Sequence, residues 1–243
     1  ADRVYQINLA IAGIAVGTVS LPILSKAFKN NNFLKITKIQ NKSLELSFLL
    51  SIPASFGLIL ASDEIVSALF GYGSFTAEDV NTTAKALKYF GYGIPAFALV
   101  KVFSNFFFAR GNTKTPFYIS STIVGLNLIL SLSFFKSVGF LIIPISTSIS
   151  TWFGVVLYYV LLKKNGILTI DKQLVKNITK IVLSSILMTF FLIFSIDYFA
   201  ENLDFNYKFK SIYLLSIVSF VTIVYLISCK LLKILDIKNY KIK

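Results

Sequence analysis

The sequence predicts an all-α membrane protein, a polytopic bundle of seven transmembrane helices. Of its 243 residues, 56% are hydrophobic and 14% are charged, and the mean hydropathy is +0.75. Soluble domains are about 45–50% apolar and about 25% charged. Because one water-facing core cannot bury this much apolar surface, the composition favours lipid as the solvent. The apolar residues also form long continuous runs, which indicates helices that cross the bilayer.

Seven hydrophobic runs supply the transmembrane helices. Each is long enough to cross a hydrocarbon core of about 30 Å at about 1.5 Å per residue. The runs cover residues 3–25, 43–62, 86–109, 116–135, 138–162, 177–198 and 211–232. Their length and continuity favour helices over the strands of a barrel, which are about ten residues long and alternate in polarity. The run 86–109 is the least regular, because it contains two lysines, two glycines and a proline.

A short helix is predicted between the second and third runs. Ser62 stands before two acidic residues, which suits a helix N-terminus with Ser62 as the N-cap. The apolar residues that follow share one face and lead to Phe70 and Tyr72, two aromatic residues suited to the headgroup level. We therefore expect an interfacial helix on the outer surface, followed by a new helix start capped by Ser74 or Thr76.

The charged connections predict how the chain is oriented. Five lysines lie in 26–42 and five in 163–180, whereas the connection between the second and third runs carries four acidic residues and one lysine. Under the positive-inside rule, the connections 26–42, 110–115 and 163–176 face the cytoplasm, as does the C-terminus. The N-terminus then lies outside, so we expect a further odd-numbered set of helices to precede it. This topology accounts for most of the net charge of +13, so no nucleic-acid partner is expected.

The residue types narrow the function classes. The chain has no histidine and one cysteine, Cys229, so His-based triads, His-ligated zinc and intrachain disulfides are excluded. The sequence also lacks a phosphate-binding loop, paired carboxylates within a run and a nucleophile–base spacing. We therefore expect a transporter rather than an enzyme, with no metal and no cofactor. We interpret Cys229 as a small buried or lipid-facing apolar residue.

The first run carries the main candidate for a substrate cavity. On a helix, one of its faces is small or polar. That face consists of Arg3, Gln6, Ala10, Gly13, Gly17 and Ser20. Gly13 and Gly17 would let another helix backbone approach closely. Arg3 and Gln6 are predicted to face the bundle interior as a cavity wall, where an arginine suits an anionic phosphate. The alternative, that Arg3 extends to the outer headgroups, stays open.

Lys101 and Asn105 are the second candidate, because they share a helix face inside the third run. A cation within a transmembrane segment is costly and is commonly functional or paired. Lys101 is therefore predicted to be a cavity cation or a tie to another part of the protein, with Glu45 as its partner. The alternative is a lysine that extends to the cytoplasmic interface. The hydroxyl residues in 146–151 and Asn127 are predicted to join helices rather than to bind substrate.

Several stretches resemble the MurJ/MviN family of lipid-linked oligosaccharide flippases, over about residues 1–165. They are ADRVYQ at 1–6, GIAVGT at 13–18, LPILSK at 21–26, LFGYGSFT at 69–76, VKVF at 100–103 and FFARGNTKTP at 107–116. The resemblance implies the C-terminal half of a fourteen-helix flippase of the multidrug/oligosaccharidyl-lipid/polysaccharide exporter superfamily. Residues 1–165 would form a five-helix bundle with an outer interfacial helix. Residues 166–243 would add two helices and a basic cytoplasmic tail.

The resemblance also implies a function. The substrate would be lipid II or a similar undecaprenyl-pyrophosphate-linked saccharide, moved from the inner to the outer leaflet of a bacterial inner membrane by alternating access. Arg3 matches the family's cavity arginine, Gln6 falls where some members carry glutamate, and the helix pair 177–232 would line a groove for the lipid tail. The partners would be membrane lipids and the N-terminal half of the protein.

Two other classes of function stay open. The first is another polysaccharide-lipid flippase or a multidrug or cation antiporter of the same superfamily. An antiporter should show intramembrane acidic residues, and this sequence offers Glu45 near the end of a run. The second is a membrane scaffold or a membrane enzyme such as an acyl- or glycosyltransferase, which would need acidic or histidine residues at a membrane edge.

Overall fold

A computed structural model describes residues 16–234, and every regular element in that range is helical. The α-helices are α1 (Val16–Lys29), α2 (Phe33–Leu60), α3 (Ser62–Phe70), α4 (Ala77–Phe108), α5 (Lys114–Val138), α6 (Ile142–Lys164), α7 (Lys172–Tyr198), α8 (Ala200–Leu203) and α9 (Lys210–Leu231). A 3-10 turn, Gly139–Leu141, joins α5 to α6.

Five helical stretches in the described range are long and apolar enough to cross a membrane. They are Phe33–Leu60, Ala77–Phe108, Lys114–Lys164, Lys172–Tyr198 and Lys210–Leu231. The third contains 51 residues and comprises two packed helices, α5 and α6, because Gly139 turns the chain with φ of 70°. The predicted class, a polytopic all-α membrane bundle, is therefore confirmed. The first predicted run lies partly outside residues 16–234, so the count of seven crossings stays a prediction.

Two transmembrane helices begin earlier than the apolar runs, because polar caps extend them. At the start of α2, the Asn32 side chain accepts a hydrogen bond from the Lys35 N–H at 3.0 Å. At the start of α4, the Thr76 hydroxyl accepts from the Asp79 N–H at 3.2 Å, and the Asp79 carboxylate accepts from the Thr76 N–H at 2.9 Å. This capping box confirms the predicted cap at Thr76.

The predicted N-cap at Ser62 was wrong. α2 ends at Leu60 and α3 begins at Ser62, with Ala61 as the junction and N-cap. The Ala61 N–H donates to the Gly57 carbonyl at 2.9 Å, and the Ala61 carbonyl accepts from the Ile65 N–H at 2.9 Å. The hydrogen-bond ladder therefore crosses the junction and leaves no separate turn for a serine cap. Ser62 is instead buried.

α4 is the most deeply packed of the candidate spans. In its 18-residue apolar segment 61% of the residues are buried, whereas the corresponding segment of the α5–α6 stretch has 11% buried. Val102, Phe106 and Phe107 are fully buried, in a core that also includes Leu24 of α1 and Tyr158 of α6. A helix surrounded by protein needs fewer lipid-facing apolar residues, which explains why its sequence was the least regular of the predicted runs.

The helix pair α7 and α9 packs on α2 through a second apolar cluster. Its members include Leu49, Ile181, Ile217, Tyr225 and Cys229. Cys229 is completely buried, in agreement with its interpretation as a small packing residue. The start of α9 also contacts α3, so the pair packs against this short helix as well as against α2.

Hydroxyl and amide groups hold the α5–α6 hairpin together, as predicted. The Asn127 amide donates to the Thr147 hydroxyl at 3.1 Å, and the Ser146 hydroxyl donates to the Asn127 carbonyl oxygen at 2.8 Å. The Ser131 and Ser146 hydroxyls lie 2.7 Å apart. Because these groups satisfy one another between two helices, their role here is helix packing.

Candidate functional site

The described part of the candidate cavity is the face of α4 that carries Lys101 and Asn105. The two residues lie one turn apart, Lys101 is exposed and Asn105 is half-buried. The neighbouring residues Val102, Phe103 and Phe106 point into the core and are buried. α4 therefore buries an apolar face in the core and exposes Lys101, with Asn105 half-buried on the same side as Lys101.

Asn105 is placed by a close contact between two helices. Gly17 of α1 is buried, and a Cβ built on Gly17 would overlap the amide nitrogen of Asn105. The absence of a side chain at Gly17 therefore lets the Asn105 amide lie directly against the α1 backbone. This contact brings the first predicted run to the same face of α4 that carries Lys101.

Three of the predicted site residues fall outside the described part of the chain. Arg3 and Gln6, the predicted cavity wall, and Gly13, the predicted packing glycine, precede residue 16. Their roles stay predictions. The structure brings Gly17 and Asn105 together, and Lys101 lies one turn before Asn105 on α4.

The predicted pairing of Lys101 with Glu45 was wrong. The buried Glu45 carboxylate accepts hydrogen bonds from the Lys42 ammonium at 2.6 Å and from the Asn177 amide at 2.8 Å. Lys42 lies one turn away on the same helix, and Asn177 lies on α7, so Glu45 faces the α7–α9 pair. The hydrogen bond between the Glu45 carboxylate and the Asn177 amide joins α2 to α7 near the end that is predicted to be cytoplasmic.

A second polar contact joins α2 to the α6–α7 connection at the same end. The Asn41 amide donates to the Thr169 carbonyl at 2.8 Å, and the Asn41 carbonyl oxygen accepts from the Asp171 N–H at 3.1 Å. The Asp171 carboxylate in turn caps α7 by accepting from the Leu174 N–H at 2.6 Å. These bonds fix where α7 begins relative to α2.

Sequence reasoning missed the structural role of Lys210, because a lysine close to acidic residues in the chain is usually solvated. Its side chain is 1% exposed, and its ammonium donates to the carbonyls of Gly71 at 2.8 Å and Phe205 at 2.5 Å. The rings of Tyr72 and Phe205 lie with their centroids 4.6 and 4.5 Å from the ammonium. The adjacent Ser211 hydroxyl bonds to Tyr72 as well. The first turn of α9 is thereby bonded to the α3–α4 connection.

An apolar cavity of about 490 Å³ lies between α7 and α9. Its wall consists of Phe191, Phe194, Ser195, Tyr198, Phe199, Tyr213, Ser216, Ile217 and Phe220. No charged residue is among them, and six of the nine are aromatic. Such a wall suits an alkyl or isoprenoid chain and offers no group that would bind a phosphate.

A smaller crevice of about 250 Å³ lies between α3, the start of α4 and α8, and Asp63, Glu64 and Asp204 are among its lining residues. Burial raises the pKa of Glu64; its backbone hydrogen bond partly opposes this, and the nearby charges of Asp63 and Asp197 add to it. Among the described residues, no group of three or more acidic, histidine or cysteine side chains is arranged to hold a metal ion. The crevice is therefore an acidic surface feature beside α3.

Comparison with known proteins assigns this architecture to a family. The family model described as lipid II flippase MurJ matches residues 1–219. The chain belongs to this family. Among the relatives, a probable lipid II flippase MurJ of Rickettsia prowazekii is 35% identical over 207 residues, which are 85% of this chain and 41% of that protein. A probable lipid II flippase MurJ of Buchnera aphidicola subsp. Schizaphis graminum is 31% identical over all of this chain and 47% of its own length.

A solved MurJ structure shares the fold. The structure described as lipid II flippase MurJ in an inward closed conformation superposes with a TM-score of 0.76 at 28% identity, over 95% of this chain and 45% of that chain. The MurJ resemblance predicted from the motifs is therefore confirmed. The chain spans less than half the length of these MurJ relatives. The structure therefore shows the polar face of α4 without the part of the relatives that this chain does not cover.

Proposed function

We propose that this protein acts in moving lipid II from the inner to the outer leaflet of the bacterial inner membrane by alternating access. Family membership supports the substrate, and the polar, cationic face of α4 is the observation that carries the proposal. A membrane helix that buries one face in its own bundle and exposes a lysine beside a half-buried asparagine is suited to line a polar cavity between two bundles.

The cavity face would bind the pyrophosphate of the substrate. Lys101 supplies a compact positive charge, and Asn105 supplies an amide that can donate to a phosphate oxygen. Arg3 and Gln6, predicted from the first run, would complete the wall, with the arginine as the planar donor of paired hydrogen bonds. The contact between Gly17 and Asn105 supports this arrangement, because it brings α1 to the same face.

The aromatic cavity between α7 and α9 would hold part of the polyprenyl tail. An uncharged, largely aromatic wall suits an isoprenoid chain, which makes van der Waals contacts with such a wall and needs no polar partner. The headgroup and the tail would thus contact different elements: α1 and α4 bind the charged end, and α7 and α9 bind the apolar end. This division matches the proposed boundary between residues 1–165 and 166–243.

Orientation and partners are part of the same proposal. The lysine-rich connections and the C-terminus would face the cytoplasm, as the positive-inside rule predicts. The remaining length of the relatives would supply the second bundle, against which this one moves around the substrate. The function would be transport rather than catalysis. An antiporter coupled to cations is less well supported, because the buried acid Glu45 is bonded to Lys42 and Asn177.

A complementation experiment tests the proposal. Bacteria depleted of their own flippase would be given the native-length protein, and rescue of growth would be measured together with the lipid II exposed on the outer leaflet. Lys101→Gln should impair both, and Lys101→Arg should retain more of each, because the charge is kept. Lys88→Gln is the matched control, because Lys88 is exposed on a different face of the same helix. Equal activity of Lys101→Gln and Lys88→Gln would refute the cavity role of this face.

A further inference from the structure

α4 contains Pro95 in its interior, with Gly91 and Gly93 in the turn before it. Proline has no N–H, so the Gly91 carbonyl, four residues earlier, has no donor within its own helix. The proline ring also crowds that turn and commonly bends a helix there. In a membrane a backbone carbonyl without a donor is costly, so a neighbouring helix or water has to supply one.

Ser55 of α2 supplies the missing donor. Its hydroxyl is buried and donates to the Gly91 carbonyl at 2.8 Å. The approach of α2 is close, because a Cβ added to Gly91 would lie 2.9 Å from the Cγ1 atom of Ile59. The sequence therefore places a residue without a side chain where the proline has freed a carbonyl, and a serine on the facing helix satisfies it.

α6 supplies two further donors to the same turn of α4. The Ser148 hydroxyl donates to the Tyr89 carbonyl at 2.7 Å, and the Trp152 indole N–H donates to the Tyr92 carbonyl at 3.0 Å. A Cβ added to Gly93 would lie 2.7 Å from the Ser148 hydroxyl oxygen, so this approach also depends on a glycine. Residues 89–95, which we name the Pro95 joint, thus accept three side-chain hydrogen bonds from two neighbouring helices.

We propose that Ser55, Ser148 and Trp152 are positioning residues that hold α4 at the Pro95 joint and thereby fix where Lys101 and Asn105 are presented. Both cavity residues follow the joint within three turns of helix, so a change of direction at the joint displaces their side chains. The inference rests on the proposed function of the α4 face. It adds that the orientation of this face is set by α2 and α6 through side-chain hydrogen bonds to backbone carbonyls of α4, one of which, that of Gly91, has lost its helical donor to Pro95.

The first test removes single donors in the native-length protein. Spin labels would be attached at Phe108 of α4 and Tyr159 of α6, two exposed positions, in a background without other cysteines. Ser148→Ala and Trp152→Phe should shift or broaden the distance distribution between the labels and should lower lipid II transport. Ser150→Ala is the matched control. Its buried hydroxyl lies on the same helix but donates to the Thr147 carbonyl of α6 itself at 3.2 Å, so it should change neither reading.

The second test uses the proline. Pro95→Ala restores an N–H that can donate to the Gly91 carbonyl, so Ser55 becomes redundant. Ser55→Ala should therefore change the label distance and the transport rate strongly beside Pro95 and only slightly beside Ala at position 95. A merely structural serine would show the same loss in both backgrounds. The conservative variant Ser55→Thr keeps the hydroxyl and should restore the distance distribution of the unchanged protein.

The outcomes separate this inference from the proposed function, because the distance measurement requires no transport. Unchanged distances in Ser148→Ala and Trp152→Phe, or an equal effect of Ser55→Ala with and without Pro95, would overturn the positioning role. If the unchanged protein moves no lipid II while the donor variants still alter the distances, the joint is supported and the proposed function is refuted. If Pro95→Ala does not fold, the donor variants on α6 still decide the question against Ser150→Ala.

Discussion

Replacing Lys210 with methionine should destabilise the protein by about 3 kcal/mol, since a buried cation would be removed while its acceptors stay in place. The Gly71 and Phe205 carbonyls accept from the ammonium at 2.8 and 2.5 Å, and both belong to the backbone, so no substitution at position 210 removes them. A hydrogen bond to a charged group contributes roughly 1.5–3 kcal/mol. The two cation–π contacts add about 0.5–1 kcal/mol each.

Opposing terms reduce that sum to the stated figure. Burying the ammonium carries a desolvation penalty in the native protein, and methionine has a similar length and fills most of the same space. Two hydrogen bonds and two ring contacts, less this penalty, leave about 3 kcal/mol. Gly71→Ala would crowd the same site, but its Cβ would first meet the Ser67 carbonyl oxygen at 2.6 Å, closer than the Lys210 ammonium at 3.0 Å and the Phe205 ring at 3.1 Å. Its effect on stability would therefore not measure the ammonium alone.

The assay is equilibrium unfolding in detergent, with Lys208→Met as the matched control. Lys208 is exposed and close in sequence, so its replacement changes the net charge equally without removing a buried cation. We expect Lys208→Met to stay within about 0.5 kcal/mol of the unchanged protein, as is usual for surface substitutions. A Lys210→Met variant that is as stable as Lys208→Met would show that the buried ammonium contributes nothing net, and the reasoning would be refuted.

Two further predictions follow from the same structure. Pro53 frees the Leu49 carbonyl, which accepts from the Tyr225 hydroxyl at 2.7 Å, so Tyr225→Phe should cost about 1–3 kcal/mol of unfolding free energy, and less when combined with Pro53→Ala. Burial raises the pKa of Glu64 above 4.5, so its contribution to stability is present at low pH and is lost as the pH rises through the folded-state pKa. Glu64→Gln should therefore be more stable than the unchanged protein at neutral pH and should lose that advantage below about pH 4.5; an advantage independent of pH would contradict the assignment.

Hydropathy predicted the membrane helices because lipid imposes one requirement on the whole length of a span. The same signal could not place the helix ends. Thr76 caps α4 in water, beyond the apolar run, and Asn32 does the same for α2. Hydropathy also ranked α4 as the least regular run, although it is the most buried of the candidate spans, because side chains that face protein are released from the requirement to be apolar.

Partners of buried polar groups were beyond prediction from the sequence. Glu45 was predicted to pair with Lys101, yet its carboxylate accepts from Lys42 and from Asn177, which lies on a helix far along the chain. Lys210 could not be singled out, because a lysine close to acidic residues in the chain is usually solvated. No pattern marks Gly71 as its acceptor. The candidate cavity residue Lys101 was singled out because an intramembrane cation is conspicuous in any sequence, and its role stays a prediction.

The prolines within the membrane helices were predictable only in part. Their tolerance within membrane helices was predictable, but the donors that satisfy the freed carbonyls were not. Tyr225 of α9 satisfies the carbonyl freed by Pro53 in α2, and Ser55, just after that proline, satisfies the carbonyl freed by Pro95 in α4. Both bonds are made from residues 49–55 of α2, so α2 links α9 to the Pro95 joint of α4. We expect the two bonds to be coupled, and a double-mutant cycle between Tyr225→Phe and Ser55→Ala measures the coupling.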